Sequence, residues 1–264
     1  MNNNHVPVML NEVLSFIPKE KKINLIDATF GGGGYSRAIL KKFNIKNLIA
    51  IDRDPISKIF YDELRKDFDN IELFNQKFSK LDELLKNSEH FKEKYDVIIF
   101  DLGVSSNQID NPERGFSFQQ DGPLDMKMGS SNLNAFEVIN SFDEKKLADI
   151  FYQFGEEKYS RKIAKNIVIN RTKKTIQNTL ELSEIIKKSV PARNNFKKIH
   201  PATKTFQALR IFINDELNEI KIALEKSENL LAKNGLLIIV SFQSLEDRIV
   251  KDFFNHKSGK RWRS

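Results

Sequence analysis

INLIDATFGGGGYSRAIL, residues 23–40, decides the fold: a short apolar run, a carboxylate, four consecutive glycines and then a segment with helical spacing. Leu25-Ile26 between turn signals predicts a buried strand, and Tyr35, Ile39 and Leu40 share one face of the predicted helix. Residues 31–34 occupy the junction, where a missing Cβ permits positive φ and lets a ligand approach the backbone closely. A turn plus a flexible linker accounts for one or two glycines. Four of them wedged between Asp27 and a helix point to a nucleotide-like ligand beneath the junction. The dinucleotide fingerprint G-x-G-x-x-G is not met, because its third glycine falls on Ser36 or Arg37 depending on where counting starts.

Working outward, an acid followed by glycines at alternating positions, Asp27 then Gly31 and Gly33, fits the loop that nucleoside-binding methyltransferases pass under an adenosyl amino acid. NLIAID (residues 47–52) predicts a second buried strand ending in Asp52, eighteen positions past Gly34. A carboxylate there can accept from both ribose hydroxyls at once. A helix over 56–68, a strand over 71–74, Phe78 in NQKFSKL, a helix over 81–91 and the strongly β segment YDVIIFDL (95–102) follow. Phe78 could lie against an adenine face or simply pack in the core. Strands alternating with helices imply βαβ units and a doubly wound parallel sheet that binds ligands at the carboxyl ends of its strands. The glycines, Asp52, Phe78 and Asp101 all fall at such ends.

The rhythm then breaks. More than 130 residues separate Asp101 from the next predicted strand, LLIIVS after Gly235, too many for one crossover. A polar, turn-rich stretch leads into helical patterns over 144–154, 156–170 and 180–190, which imply a small helical insertion over residues 111–200. Residues 203–233 read as one long amphipathic helix with Phe206, Leu209, Ile213, Leu217, Ile220 and Leu224 on one face, returning to the sheet domain and capped by Gly235. The expected divisions are therefore 1–110 and 201–264 for the sheet domain and 111–200 for the insertion. Ahead of them, residues 5–17 predict an extended lead-in and a short helix.

Composition narrows the classes of function. No apolar run approaches the 18 residues that span a bilayer and the first residues lack a signal-peptide pattern, so a cytoplasmic protein is expected. There are no cysteines and only 4 histidines, which removes thiolate zinc sites, disulfides and cysteine nucleophiles; no metal is expected. The net charge is +7, and residues 158–198 hold twelve Lys or Arg against Glu181 and Glu184. One segment thus carries more positive charge than the whole chain nets, as a phosphate-facing surface does.

Several blocks, DATFGGGGYS, AIDRDP, FDLGVSSNQIDNPERGFSFQQDGPLDMKM, GEEKYSRKIAKNIV, HPATKTFQALRIFINDEL and SFQSLEDRIVK, resemble in order and spacing the bacterial methyltransferases of the MraW type. Those enzymes methylate N4 of a cytosine in the decoding centre of small-subunit (16S) ribosomal RNA. The resemblance implies an α/β class I fold, a Rossmann-like doubly wound sheet with an inserted helical domain that helps hold RNA. It implies S-adenosyl-L-methionine (SAM) as cofactor, contacted by Gly33, Gly34, Tyr35, Asp52, Phe78, Asp101 and Gln108. Tyr35 and Gln243 stand where the family usually has histidine. Family members also continue past GKRWRS with a segment supplying further sheet strands, so an exposed sheet edge is expected here. That edge raises a second reading, a catalytically impaired RNA-binding remnant of the same family.

The residues allow some of the chemistry to be assigned. Methylation at C5 of cytosine requires a cysteine to attack the ring, and this chain has none. An exocyclic amine needs no covalent catalyst, only a held N–H and an aimed lone pair, and positioning alone can supply roughly 7–11 kcal/mol of a barrier. Asp101 either accepts from the target N4 or fixes the cofactor's amino group, the binding role being preferred. Phe116 could stack on a flipped base, Arg114, Lys127 and Arg210 could hold phosphates, and Phe118 reads as a packing aromatic. Lys158, Arg161, Lys162 and Lys165 recur on one helical face and read as RNA contacts. The expected partner is 16S RNA within the small ribosomal subunit, and the oligomeric state is left open, a homodimer included.

Overall fold

The computed structural model describes residues 6–19, 21–88, 94–191 and 200–260. The chain divides into two compact units, residues 1–105 with 217–264, and residues 106–216.

In the first unit, β1 (Ile23–Asp27), β2 (Ile45–Ile51), β3 (Ile71–Phe74), β4 (Tyr95–Asp101) and β5 (Leu231–Val240) form one parallel sheet in the order β3-β2-β1-β4-β5. The chain runs outward from β1 to β3, then restarts on the other side of β1 with β4. The loops after β1 and β4 therefore diverge and open a crevice at the carboxyl edge. Strand composition follows from burial on both faces. Leu25, Leu48, Val97 and Ile99 pack with Tyr35, Ile39 and Leu40 of α2 (Gly34–Lys42), with Val13 and Leu14 of α1 (Leu10–Phe16), and with Phe60 and Leu64 of α3 (Ser57–Leu64). Their neighbours Ile26, Ile49, Ile98 and Phe100 pack on the other face with Leu81 and Leu85 of α4 (Leu81–Lys86), and with Ile220 and Leu224. Part of the helix expected over 81–91 lies outside the described residues.

The second unit is helical: α5 (Ser106–Asp110), α6 (Ala135–Ser141), α7 (Glu144–Gly155), α8 (Ser160–Arg171), α9 (Thr179–Ser189) and α10 (Thr203–Asn214). Starts are set by side-chain caps. Asn134 forms a reciprocal capping box with Glu137, while Asp143 and Asn178 accept from the third backbone N–H of α7 and α9. Leu147, Phe151, Ile163, Ile167, Leu182 and Ile186 fill the core with Phe206 and Leu209 of α10.

Here the structure departs from the sequence expectation. The long helix over 203–233 is two helices, α10 and α11 (Glu216–Leu230), broken at Asp215, which adopts φ 52°. The corner is held by Asn214, wholly buried: its Nδ2 donates to the carbonyls of Met126 (2.8 Å) and Arg210 (2.9 Å), and its Oδ1 accepts from Met128 N (2.9 Å). The single apolar stripe consequently serves two cores. Phe206, Leu209 and Ile213 belong to the helical unit, and Leu217, Ile220 and Leu224 to the sheet. The helical unit thus runs from 106 to 216 rather than from 111 to 200. Gly235 is no helix cap either, since α11 ends at Leu230 and the β4–β5 register slips between Tyr95 and Val97 at that point. Among the described residues β5 pairs only with β4, so its other side is a sheet edge. No described helix is long and apolar enough to cross a membrane.

Candidate active site at the carboxyl ends of the strands

The glycine loop lies between β1 and α2. Gly31 and Gly33 take φ +52° and +74°, and a Cβ on Gly33 would come 2.8 Å from the Phe30 ring, so both backbone and space demand glycine. Gly33 caps α2, whose first residue is Gly34. Ser36, where a dinucleotide loop wants its third glycine, is buried and donates from Oγ to Asp27 Oδ2 at 2.6 Å. Asp52 stands just beyond β2. Its Oδ2 accepts from Gly31 N at 2.6 Å and its Oδ1 from Asp54 N at 2.7 Å. The carboxylate therefore ties the glycine loop to the end of β2, and each oxygen retains a second lone pair.

Asp101 ends β4. Its backbone N–H donates to Thr29 Oγ1 at 2.6 Å, fixing it beside the glycine loop, while its Oδ1 is buried without a hydrogen-bond partner. Burial, then the negative charges of Asp27 and Glu246, push its carboxyl up to about 7. Asp27 is raised to about 6 by burial, partly offset by the Ser36 hydroxyl, and Asp52 to about 6 by burial, partly offset by the N–H groups of Asp54 and Gly31. Burial disfavours the charge on all three carboxylates, and Asp101 keeps one orphaned buried oxygen, so a cation brought to this edge would be favoured. SAM carries an ammonium and a sulfonium beside its adenosyl group, and these residues fit it. Phe78 is half-buried next to this edge, its ring edge-on to Phe100 at 5.5 Å.

Tyr35 is part of α2 and buried, so its side chain faces the core. Its hydroxyl donates to the Val8 carbonyl, tying the segment before α1 to α2. Burial, with the nearby charges of Asp101 and Asp27, raises its pKa. Gln108 is buried in α5 and belongs to the helical unit, whereas the other expected cofactor contacts belong to the sheet unit. Gln243 caps α12 (Ser244–Lys257), and its Nε2 donates to the buried carboxylate of Glu246 at 2.7 Å.

The residues expected to hold RNA fare unequally. Lys158, Arg161, Lys162 and Lys165 are exposed at the start of α8, and no described carboxylate pairs with them. Arg210 is instead committed within its own unit: Nε and Nη2 grip Glu216 Oε1 and Oε2 at 2.8 and 2.9 Å, with both side chains largely buried. That bidentate pair takes up the donor edge a phosphate would need. Arg114 donates to the Lys127 carbonyl at 2.8 Å and sits 5.7 Å from the centre of the Phe116 ring. Lys127 lies 3.7 Å from Asp125. Phe118 stacks on His200 at 4.7 Å and meets Phe206 edge-on, a packing role. Sequence reasoning passed over Glu246, Phe242 and the Asp27–Ser36 pair. For the pair a signal existed, an acid and a hydroxyl flanking the glycines.

A parallel sheet with a topological switch, a glycine loop leading into α2 and acids ending β1 and β4 and just past β2 define a class I nucleoside-cofactor methyltransferase. The chain belongs to the MraW methylase family, whose model matches residues 2–262. It is 49% identical to the ribosomal RNA small subunit methyltransferase H of Wolbachia sp. subsp. Drosophila simulans, over 95% of this chain and 84% of that one. The proteins of that name from Rickettsia massiliae and Ehrlichia canis are 47% and 48% identical, over 98% and 95% of this chain and 82% and 84% of theirs.

Proposed function

We propose that this protein transfers a methyl group from SAM to the exocyclic N4 amine of a cytosine in the decoding centre of 16S ribosomal RNA, acting in the cytoplasm on the small ribosomal subunit. The observation that carries the reading is the orphaned, buried Oδ1 of Asp101 beside a glycine loop pinned by Asp52. Membership of the methylase family and the names of its relatives supply the substrate class.

When bound, SAM supplies an electrophilic methyl group on its sulfonium. The chain's own part is placement. Gly33, Gly34 and the backbone of Tyr35 line the loop, Asp52 offers its remaining lone pairs to ribose hydroxyls, and Phe78 flanks the adenine. Asp101 accepts from the cofactor's amino group, and Thr29 holds it in register for that task. A chain without cysteine is suited to an amine acceptor, which needs no covalent intermediate. The exposed cations at the start of α8 take RNA phosphates, and Arg114, Phe116 and Lys127 supply secondary RNA contacts. Arg210 takes no phosphate, its guanidinium being bound to Glu216.

Incubating the purified chain with methyl-tritiated SAM and small subunits from cells lacking the modification should place label in 16S RNA. RNA that stays unlabelled while SAM binds would instead support an RNA-binding protein without turnover.

A further inference from the structure

Phe242 follows β5 and is 56% exposed. An aromatic ring in water at a ligand-binding edge contributes nothing to the core. Its backbone, by contrast, is fixed. Phe242 N–H donates to Glu246 Oε2 at 3.1 Å, and Glu246, wholly buried in the first turn of α12, also holds Gln243. Leu102 N–H bonds to the Val240 carbonyl at 2.9 Å, so the chain leaves β4 and β5 side by side. The ring consequently lies against the loop after β4: a Cβ built on Gly103, two residues past Asp101, would stand 3.7 Å from Phe242 Cδ2. Gly103 offers no side chain to cover it.

We infer that Phe242 is the platform on which the target base stacks, presenting the amine of a flipped-out pyrimidine toward the end of β4, where Asp101 lies. Chemistry on a base requires it to leave its own stack, and an aromatic face replaces the stacking lost. A planar ring at low entropic cost, on a backbone N–H fixed by a buried carboxylate, supplies that face without reading sequence. The assignment rests on the RNA methyltransferase reading of the same site and adds the residue that receives the substrate.

The test compares Phe242→Ala, Phe242→Tyr and Phe242→Trp with the wild-type chain on unmodified small subunits, with SAM affinity measured by calorimetry and melting followed in parallel. Loss of the ring should lower the single-turnover rate at saturating SAM about 10- to 100-fold. SAM affinity should stay within about twofold and the melting temperature should not move. The Tyr and Trp variants should keep most of the rate, because any aromatic face serves. A Phe242→Ala rate equal to wild type, equal defects in all three variants, or a fall in SAM affinity matching the fall in rate would overturn the assignment. A wild-type chain that binds SAM but labels no RNA would overturn the methyltransferase reading, and this inference with it.

Discussion

Asp101 concentrates the chemistry of the site because its neighbours oppose its charge while its backbone is pinned to Thr29. Asp101→Asn should weaken SAM binding at least about tenfold by removing the charged acceptor. Calorimetry checks this, and normal turnover at saturating SAM would assign the residue to binding rather than to the target amine. Tyr35 was legible both as an anomaly next to the glycines and as a partner of Ile39 and Leu40 on one helix face, but sequence cannot show that its hydroxyl finds the Val8 carbonyl 27 positions back. Tyr35→Phe keeps the ring packing and loses one hydrogen bond. It should cost about 1 kcal/mol in urea unfolding and leave SAM affinity within about threefold, because the hydroxyl is spent on the Val8 carbonyl. Arg210 shows the opposite limit: a basic residue in a substrate-side block reads as a phosphate ligand until Glu216, six positions on, is seen to occupy it.

At the level of elements, short continuous apolar runs located every described strand and 3.6-residue periodicity most of the described helices, because burial on both faces of a parallel sheet leaves no alternation to read. The error at 203–233 has a physical cause. The apolar stripe keeps helical spacing straight through Asp215, so periodicity cannot reveal that one half faces one core and the other half a second. The buried amide of Asn214 and the left-handed Asp215 mark the corner. The turn-rich segment ahead of α6 is similarly constrained: a Cβ at Gly122 would sit 1.9 Å from the Pro112 carbonyl oxygen. Gly122→Ala should therefore destabilise the helical unit by about 1–3 kcal/mol, visible as an earlier transition in thermal or urea melts. The cationic start of α8 makes a separate prediction. Replacing Lys158, Arg161, Lys162 and Lys165 with Glu should flatten the log–log dependence of subunit binding on salt by roughly 2–3, since each lost contact with single-stranded RNA removes about 0.7.

For the whole molecule, the raised carboxylates couple stability to pH. Unfolded, these aspartates titrate near 3.9. Folded, Asp27 and Asp52 titrate at about 6 and Asp101 at about 7, so between those values and about 4 the native state holds protons that the unfolded state has released. Their contribution to stability is full below about pH 4 and is lost as pH rises through 6 to 7. At pH 8 the Asp101→Asn variant should melt above wild type, and at pH 5, where Asp101 is a neutral near-isostere of Asn, the two should converge; scanning calorimetry of the SAM-free proteins decides this. SAM should likewise raise the wild-type melting temperature more at pH 8 than at pH 5, because its cationic groups meet charged rather than protonated acids. The most direct test of the central claim is nucleoside mass spectrometry of 16S RNA after reaction of the purified chain with SAM and unmodified small subunits. The account predicts N4-methylcytidine approaching one per RNA molecule, and 5-methylcytidine, or no methylated nucleoside despite bound SAM, would contradict it.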